Sequence, residues 1–122
     1  DTLPGVNMIH RHDPGRIVVG GSVHSHSLIV PWVGEVLSWD VDRFEALTAE
    51  QVERVVGLKP ELVIIGSGHR LRFPAPPVLR PLIDRRVGFE TMDTAAACRT
   101  YNVLVSEGRS VVAALILESS PG

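Results

Sequence analysis

Leu62-Val63-Ile64-Ile65-Gly66-Ser67-Gly68 is an unbroken apolar run that stops in two glycines separated by a serine. Such a run suits a strand covered on both faces, as crossover connections require. Downstream the chain alternates: helix Pro77 to Arg86, strand Val87 to Met92, helix Thr94 to Glu107, strand Val111 to Leu117. The last strand is again continuously apolar. This is α/β punctuation, and right-handed crossovers make the first two of these strands parallel neighbours.

Upstream, strands Val6 to His12 and Arg16 to Val19 flank Asp13-Pro14-Gly15, a turn of the kind that joins antiparallel neighbours. Ser27 to Trp32 is the next strand, and its Pro31 argues for an edge position or a strand end. Thr48 and Gln51 have capping-box spacing, with a staple expected between Leu47 and Val52. Gly57 is expected in the left-handed conformation that ends this helix, and Pro60 prevents its continuation. No repeat, low-complexity tract or linker interrupts the sequence, so residues 1–122 read as a single domain with an N-terminal antiparallel strand region.

Composition bounds the function. A chain of 122 residues buries about two thirds of the surface its unfolded form exposes, enough for one core. Twelve basic against fourteen acidic side chains leave a net charge of −2, so no general attraction for nucleic acid is expected. No run of about 18 apolar residues predicts a membrane span, and no basic-then-apolar leader is seen. The single cysteine, Cys98, excludes an intramolecular disulfide and makes the cytoplasm the expected location.

Candidate chemistry gathers where the strands end. If Leu62–Ile65 and Val87–Thr91 are parallel, Gly66-Ser67-Gly68-His69 and Met92-Asp93-Thr94 lie at one carboxyl edge, where open α/β sheets usually bind ligands. The glycines permit close approach to backbone amides and Ser67 adds a hydroxyl. The loop reads first as a plain tight turn, because the next helix starts about nine residues after Gly68 and not directly from it. Asp93 and Thr94 read as helix caps or as site residues. Cys98 borders an apolar arc and reads first as packing; as a nucleophile its partner would be His69. Arg72 and Arg99 suit a carboxylate or phosphate, or an internal bridge to Glu90 or an aspartate. His10 with His12, and His24 with His26, each project from one face of an extended chain and can begin a metal site, although no Asp, Glu or Cys stands at matching spacing.

Ile64-Ile65-Gly66-Ser67-Gly68, Arg72-Phe73-Pro74, Met92-Asp93-Thr94 and Ala96-Ala97-Cys98-Arg99-Thr100-Tyr101-Asn102 occur here in order. Together they resemble the family that includes the mitochondrial complex I assembly factor 3. Ser67 stands where threonine is common in such proteins, a departure that keeps the hydroxyl. The resemblance implies a three-layer fold around a central mixed, mainly parallel sheet, and it implies no reaction and no cofactor. Three functions follow as expectations. The first is a binding or assembly-assisting domain with a small-ligand or partner-protein surface formed by Gly66, Ser67, Gly68, Arg72, Asp93, Thr94, Cys98 and Arg99. The second is an enzyme using Cys98 or Asp93 with Ser67, His69 and Arg72, and the third a metal-binding protein through the strand histidines. Edge strands near Trp32 allow a homodimer.

Overall fold

In the computed structural model, which describes residues 5–118, the turn at Pro14-Gly15 starts an antiparallel meander. Its strands are β1 (Ile9–Asp13), β2 (Arg16–Val19) and β3 (Ser22–His24), in that order across the sheet. A bulge between Ile9 and Arg11 shifts the register of β1, so that His12 pairs with Ile17. The expected sharing of one strand face by His10 and His12 fails for this reason, since the extra residue breaks the alternation of side chains. His10 is exposed and His12 half-buried.

The second sheet takes β4 (Leu28–Pro31), β5 (Leu37–Ser38), β6 (Leu62–Gly66), β7 (Gly88–Met92) and β8 (Val111–Leu115) in the order β5-β4-β8-β6-β7. Strand β6 runs parallel to both neighbours through five-residue ladders, Leu62–Gly66 against Gly88–Met92 and against Val111–Leu115. The antiparallel pairs are shorter, four residues for β4 with β8 and two for β4 with β5. Pro31 ends β4, which lies inside the sheet, so the edges are β5 and β7 and not the strand that leads to Trp32.

Three α-helices among the described residues supply the outer layers. α1 (Ala49–Val56) and α2 (Pro76–Asp84) cover one face, where Val52, Val55 and Leu82 pack with Val63, Ile65, Val112 and Ala114. α3 (Thr94–Ser106) and the meander cover the other, where Ala97, Tyr101, Val105, Ile9 and Ile17 pack with Ile64, Ala113 and Leu115. Both faces of β6 and β8 are therefore covered, which is why those strands carry no polar alternation. Thr48 caps α1 by accepting from the Gln51 amide, and Leu47 and Val52 are both buried. Gly57 stays right-handed at φ −60°, and the left-handed residue is Lys59 at φ 58°. The amides of Leu58 and Lys59 donate to the carbonyls three residues back, so the chain tightens for one more turn before it reverses.

The polar residues of α3 tie it to the meander. Asn102 Oδ1 accepts from the Ile9 amide at 2.9 Å and its Nδ2 donates to the Ile9 carbonyl at 2.8 Å, as a neighbouring strand would. The Tyr101 hydroxyl, fully buried, lies 2.8 Å from the Asn7 carbonyl oxygen and 3.1 Å from that of Pro31. Burial pushes the Tyr101 hydroxyl pKa upward, so it remains a donor. Asn102→Ala leaves the Ile9 amide and carbonyl without this partner, and an expected loss of about 1–2 kcal/mol in urea unfolding checks the tie.

Candidate functional site

The chain leaves β6 through α2 to reach β7 on one side, then returns through α3 to place β8 on the other side of β6. The carboxyl ends of β6 and β8 thus flank a switch in strand order. Thr94, the first residue of α3, is inserted there. Its amide donates to the Gly68 carbonyl at 2.8 Å, its Oγ1 accepts from the Gly68 amide at 2.9 Å, and the same hydroxyl donates to the Ile116 carbonyl at 2.8 Å. Gly66 makes this approach feasible, since a Cβ there would lie 2.9 Å from Thr94 Oγ1 and 3.0 Å from its Cα. The two glycines of the loop thus serve packing: Gly66 admits the helix, and Gly68, at φ +105°, lies beneath an ion pair.

That pair joins Arg72 to Glu118. Arg72 Nη2 donates to Glu118 Oε1 at 2.6 Å and to the Ser67 carbonyl at 2.8 Å, while Nη1 is 3.4 Å from Glu45. The guanidinium also stacks over Phe44, 5.1 Å from the ring centre. Glu118 is only 7% exposed, and its second oxygen accepts from the Phe44 amide at 3.1 Å. Burial pushes its carboxyl pKa up, but the hydrogen bonds from Arg72 and Phe44, together with the charges of Arg72 and His69, outweigh that and lower it. The Ser67 hydroxyl is consumed internally too: it accepts from the Arg72 amide at 3.0 Å and donates toward the Arg70 carbonyl at 2.7 Å. Arg72 is thus paired internally, though with Glu118 and Glu45; Glu90 is exposed and makes no ion pair among the described residues.

Beside this braced loop a cleft of about 400 Å³ opens at the carboxyl edge, with mostly apolar walls. His12 to Gly15 and Ile17 form one wall, Asp93 to Ala95 another, and Gly68, His69 and Ile116 to Glu118 the rest. Asp93 caps α3 by accepting from the Ala96 amide at 2.9 Å. His69 is half exposed and holds Nδ1 2.8 Å from Glu118 Oε1. Of the residues singled out in sequence, Gly68, His69, Asp93 and Thr94 line the cleft, while Gly66, Ser67 and Arg72 brace the loop behind it. Sequence reasoning missed Glu118 and the β1–β2 turn as wall elements. A glutamate closing the apolar run Val111–Leu117 was the available signal.

Cys98 and Arg99 lie outside the cleft walls. Cys98 packs in the core against the sheet, and burial, opposed by Arg99 and reinforced by Asp93, pushes its thiol up to about 12. Iodoacetamide is therefore expected to leave Cys98 unmodified in the folded protein at neutral pH and to label it in denaturant, read by intact mass. Arg99 is exposed and makes no ion pair among the described residues. Among the same residues, no three His, Cys, Asp or Glu side chains gather into a group able to hold a metal ion. No helix there is long and apolar enough to cross a membrane.

Comparison with known proteins adds relatives to this geometry. Residues 9–116 match the model of a family described as protein of unknown function (DUF498/DUF598). The Bos taurus protein named NADH dehydrogenase (ubiquinone) 1 alpha subcomplex assembly factor 3 is 36% identical over 104 residues, which cover 84% of this chain and 55% of that protein. The chain spans a little over half the length of the first curated relatives it matches. A crystal structure of a Bordetella parapertussis protein superposes with a TM-score of 0.89 at 38% identity, covering 96% of this chain and 100% of that one. A solution structure from Bordetella pertussis gives 0.87 at 32% identity, covering 98% and 91%.

Proposed function

This chain belongs to the DUF498/DUF598 family, and within it we propose a non-catalytic binding or assembly-assisting role, with the cleft beside the Gly66–Gly68 loop and the Asp93 helix start as the recognition surface. One observation carries the reading: Ser67, Thr94, Arg72 and Cys98 are occupied or sealed, while the space next to them is open and His69 is half exposed beside it. Ser67, Thr94 and Arg72 are spent on holding the loop, and Cys98 is sealed in the core. The cleft keeps mostly apolar walls, as recognition sites commonly do. The assembly-factor name of the bovine relative supports the same direction.

Ala95 is an exposed wall residue, so Ala95→Trp fills the cleft without disturbing the core. Tagged protein is expected to recover a consistent partner from native lysate of the source organism. Recovery should fall about tenfold with Ala95→Trp and persist with Val103→Trp, an exposed position on the same helix outside the cleft. Equal recovery by all three proteins, or no partner under several conditions, overturns the proposal. We propose a cytoplasmic location for this role, supported by the unpaired Cys98. Fractionation that recovers the chain with the cell envelope overturns that placement.

A further inference from the structure

We infer that the cleft takes a small neutral molecule with an apolar body and a weakly acidic hydroxyl, the class of the alkylphenols, and that His69 Nε2 accepts the hydroxyl proton in a hydrogen bond. The inference rests on the reading of this cleft as a recognition surface and names the ligand chemistry that fits it.

Three carboxylates stand at the rim, and each is already matched. Glu118 is paired with Arg72 at 2.6 Å, Asp93 accepts from the Ala96 amide at the positive end of α3, and Asp13 lies 3.6 Å from Arg16. Compensated in this way, the rim offers neither a cation nor an anion an unmatched opposite charge. A neutral molecule suits the mostly apolar walls, and a volume of about 400 Å³ is ample for a substituted ring.

Orientation comes from His69. With Nδ1 2.8 Å from a carboxylate oxygen, the ring must carry its proton on Nδ1, because two lone pairs would repel at that distance. In the neutral ring Nε2 is then an acceptor. It sits on the side of the ring away from Glu118, on a half-exposed side chain that lines the cleft. Glu118 is itself held by Arg72 and the Phe44 amide, so the imidazole is anchored through a fixed carboxylate. An anchored acceptor beside an apolar hollow selects ligands that bring one donor and little other polarity. The hydroxyls of Ser67 and Thr94 do not compete, being spent on backbone carbonyls.

The test compares 4-ethylphenol with 4-ethylanisole, in which a methyl group replaces the donor proton. Amide shifts of labelled protein are followed at about pH 8, where the phenol probe keeps its proton. The expected result is a phenol that binds about fivefold more tightly than the anisole, the worth of one hydrogen bond, with shifts centred on Ala95 and Ile17. His69→Ala brings the ratio to about one, while His12→Ala preserves it. Equal binding of the two probes, binding of neither, or collapse of the ratio in His12→Ala alone overturns the inference. Loss of partner recovery in Ala95→Trp with no probe binding overturns the phenol assignment while leaving the partner surface standing.

Discussion

Gly66→Val is expected to destabilise the fold by about 3 kcal/mol or more, read as a lowered urea midpoint. Overpacking in a filled interior typically costs about 1–3 kcal/mol, and this site is tighter than most. The added Cβ alone would lie 2.9 Å from Thr94 Oγ1, 3.0 Å from Thr94 Cα and 3.1 Å from Leu115 Cδ2. One of these atoms is helix backbone, so relief requires α3 to retreat from β6. Such a retreat breaks the Thr94 bonds to Gly68 and Ile116 together. Gly66→Ala, which lacks the two γ-carbons, should cost less, about 1–2 kcal/mol. Equal stability of wild type and the valine variant would show that the helix start is not held as described.

Glu118→Ala is expected to cost about 2–3 kcal/mol. Removing one partner of a well-buried pair commonly costs about 3–5 kcal/mol, and the lower figure applies because Arg72 keeps the Ser67 carbonyl and Glu45 as partners. Combining Glu118→Ala with Arg72→Met should recover part of the loss, since the guanidinium is only 17% exposed and no longer has to be buried without its carboxylate. The same residue sets a pH dependence. A carboxyl whose pKa is lowered by folding contributes stability that is present above its unfolded value, near 4.5, and disappears as the pH falls through the folded value. Wild-type stability is therefore expected to fall more steeply on acidification below about pH 4.5 than that of Glu118→Gln. Parallel acid profiles for the two proteins would remove Glu118 from this role.

The elements were legible because their signals are local. Leu62–Ile65 and Val111–Leu115 read as strands from uninterrupted apolarity, and the Thr48–Gln51 cap from spacing alone. Asp93 reads as a cap for the same reason, and it does accept from Ala96 three residues on. Where the reading slipped, a second short-range feature intervened. Gly57 lost the left-handed turn to Lys59, two residues later, and the His10–His12 pair was separated by a bulge.

The candidate site divides in the same way. Parallel pairing of β6 with β7, inferred from crossover handedness, was enough to bring the Gly66–Gly68 loop and Asp93 to one edge. It could not assign partners to Arg72, because Glu118 and Glu45 lie 46 and 27 residues away. Nor could it supply the opposite wall of the cleft, which comes from the first hairpin.

Local periodicity and capping chemistry, carried in the sequence itself, determined the class of fold, the order of its elements and the edge where the cleft opens. Tertiary structure alone decided that Ser67, Thr94 and Arg72 are consumed internally, that Cys98 is sealed, and that open space remains between Pro14 and Ala95. The physical reason is range. Backbone conformation follows from neighbours a few residues apart, whereas the partner of a buried polar group is whichever distant residue packing brings within about 3 Å.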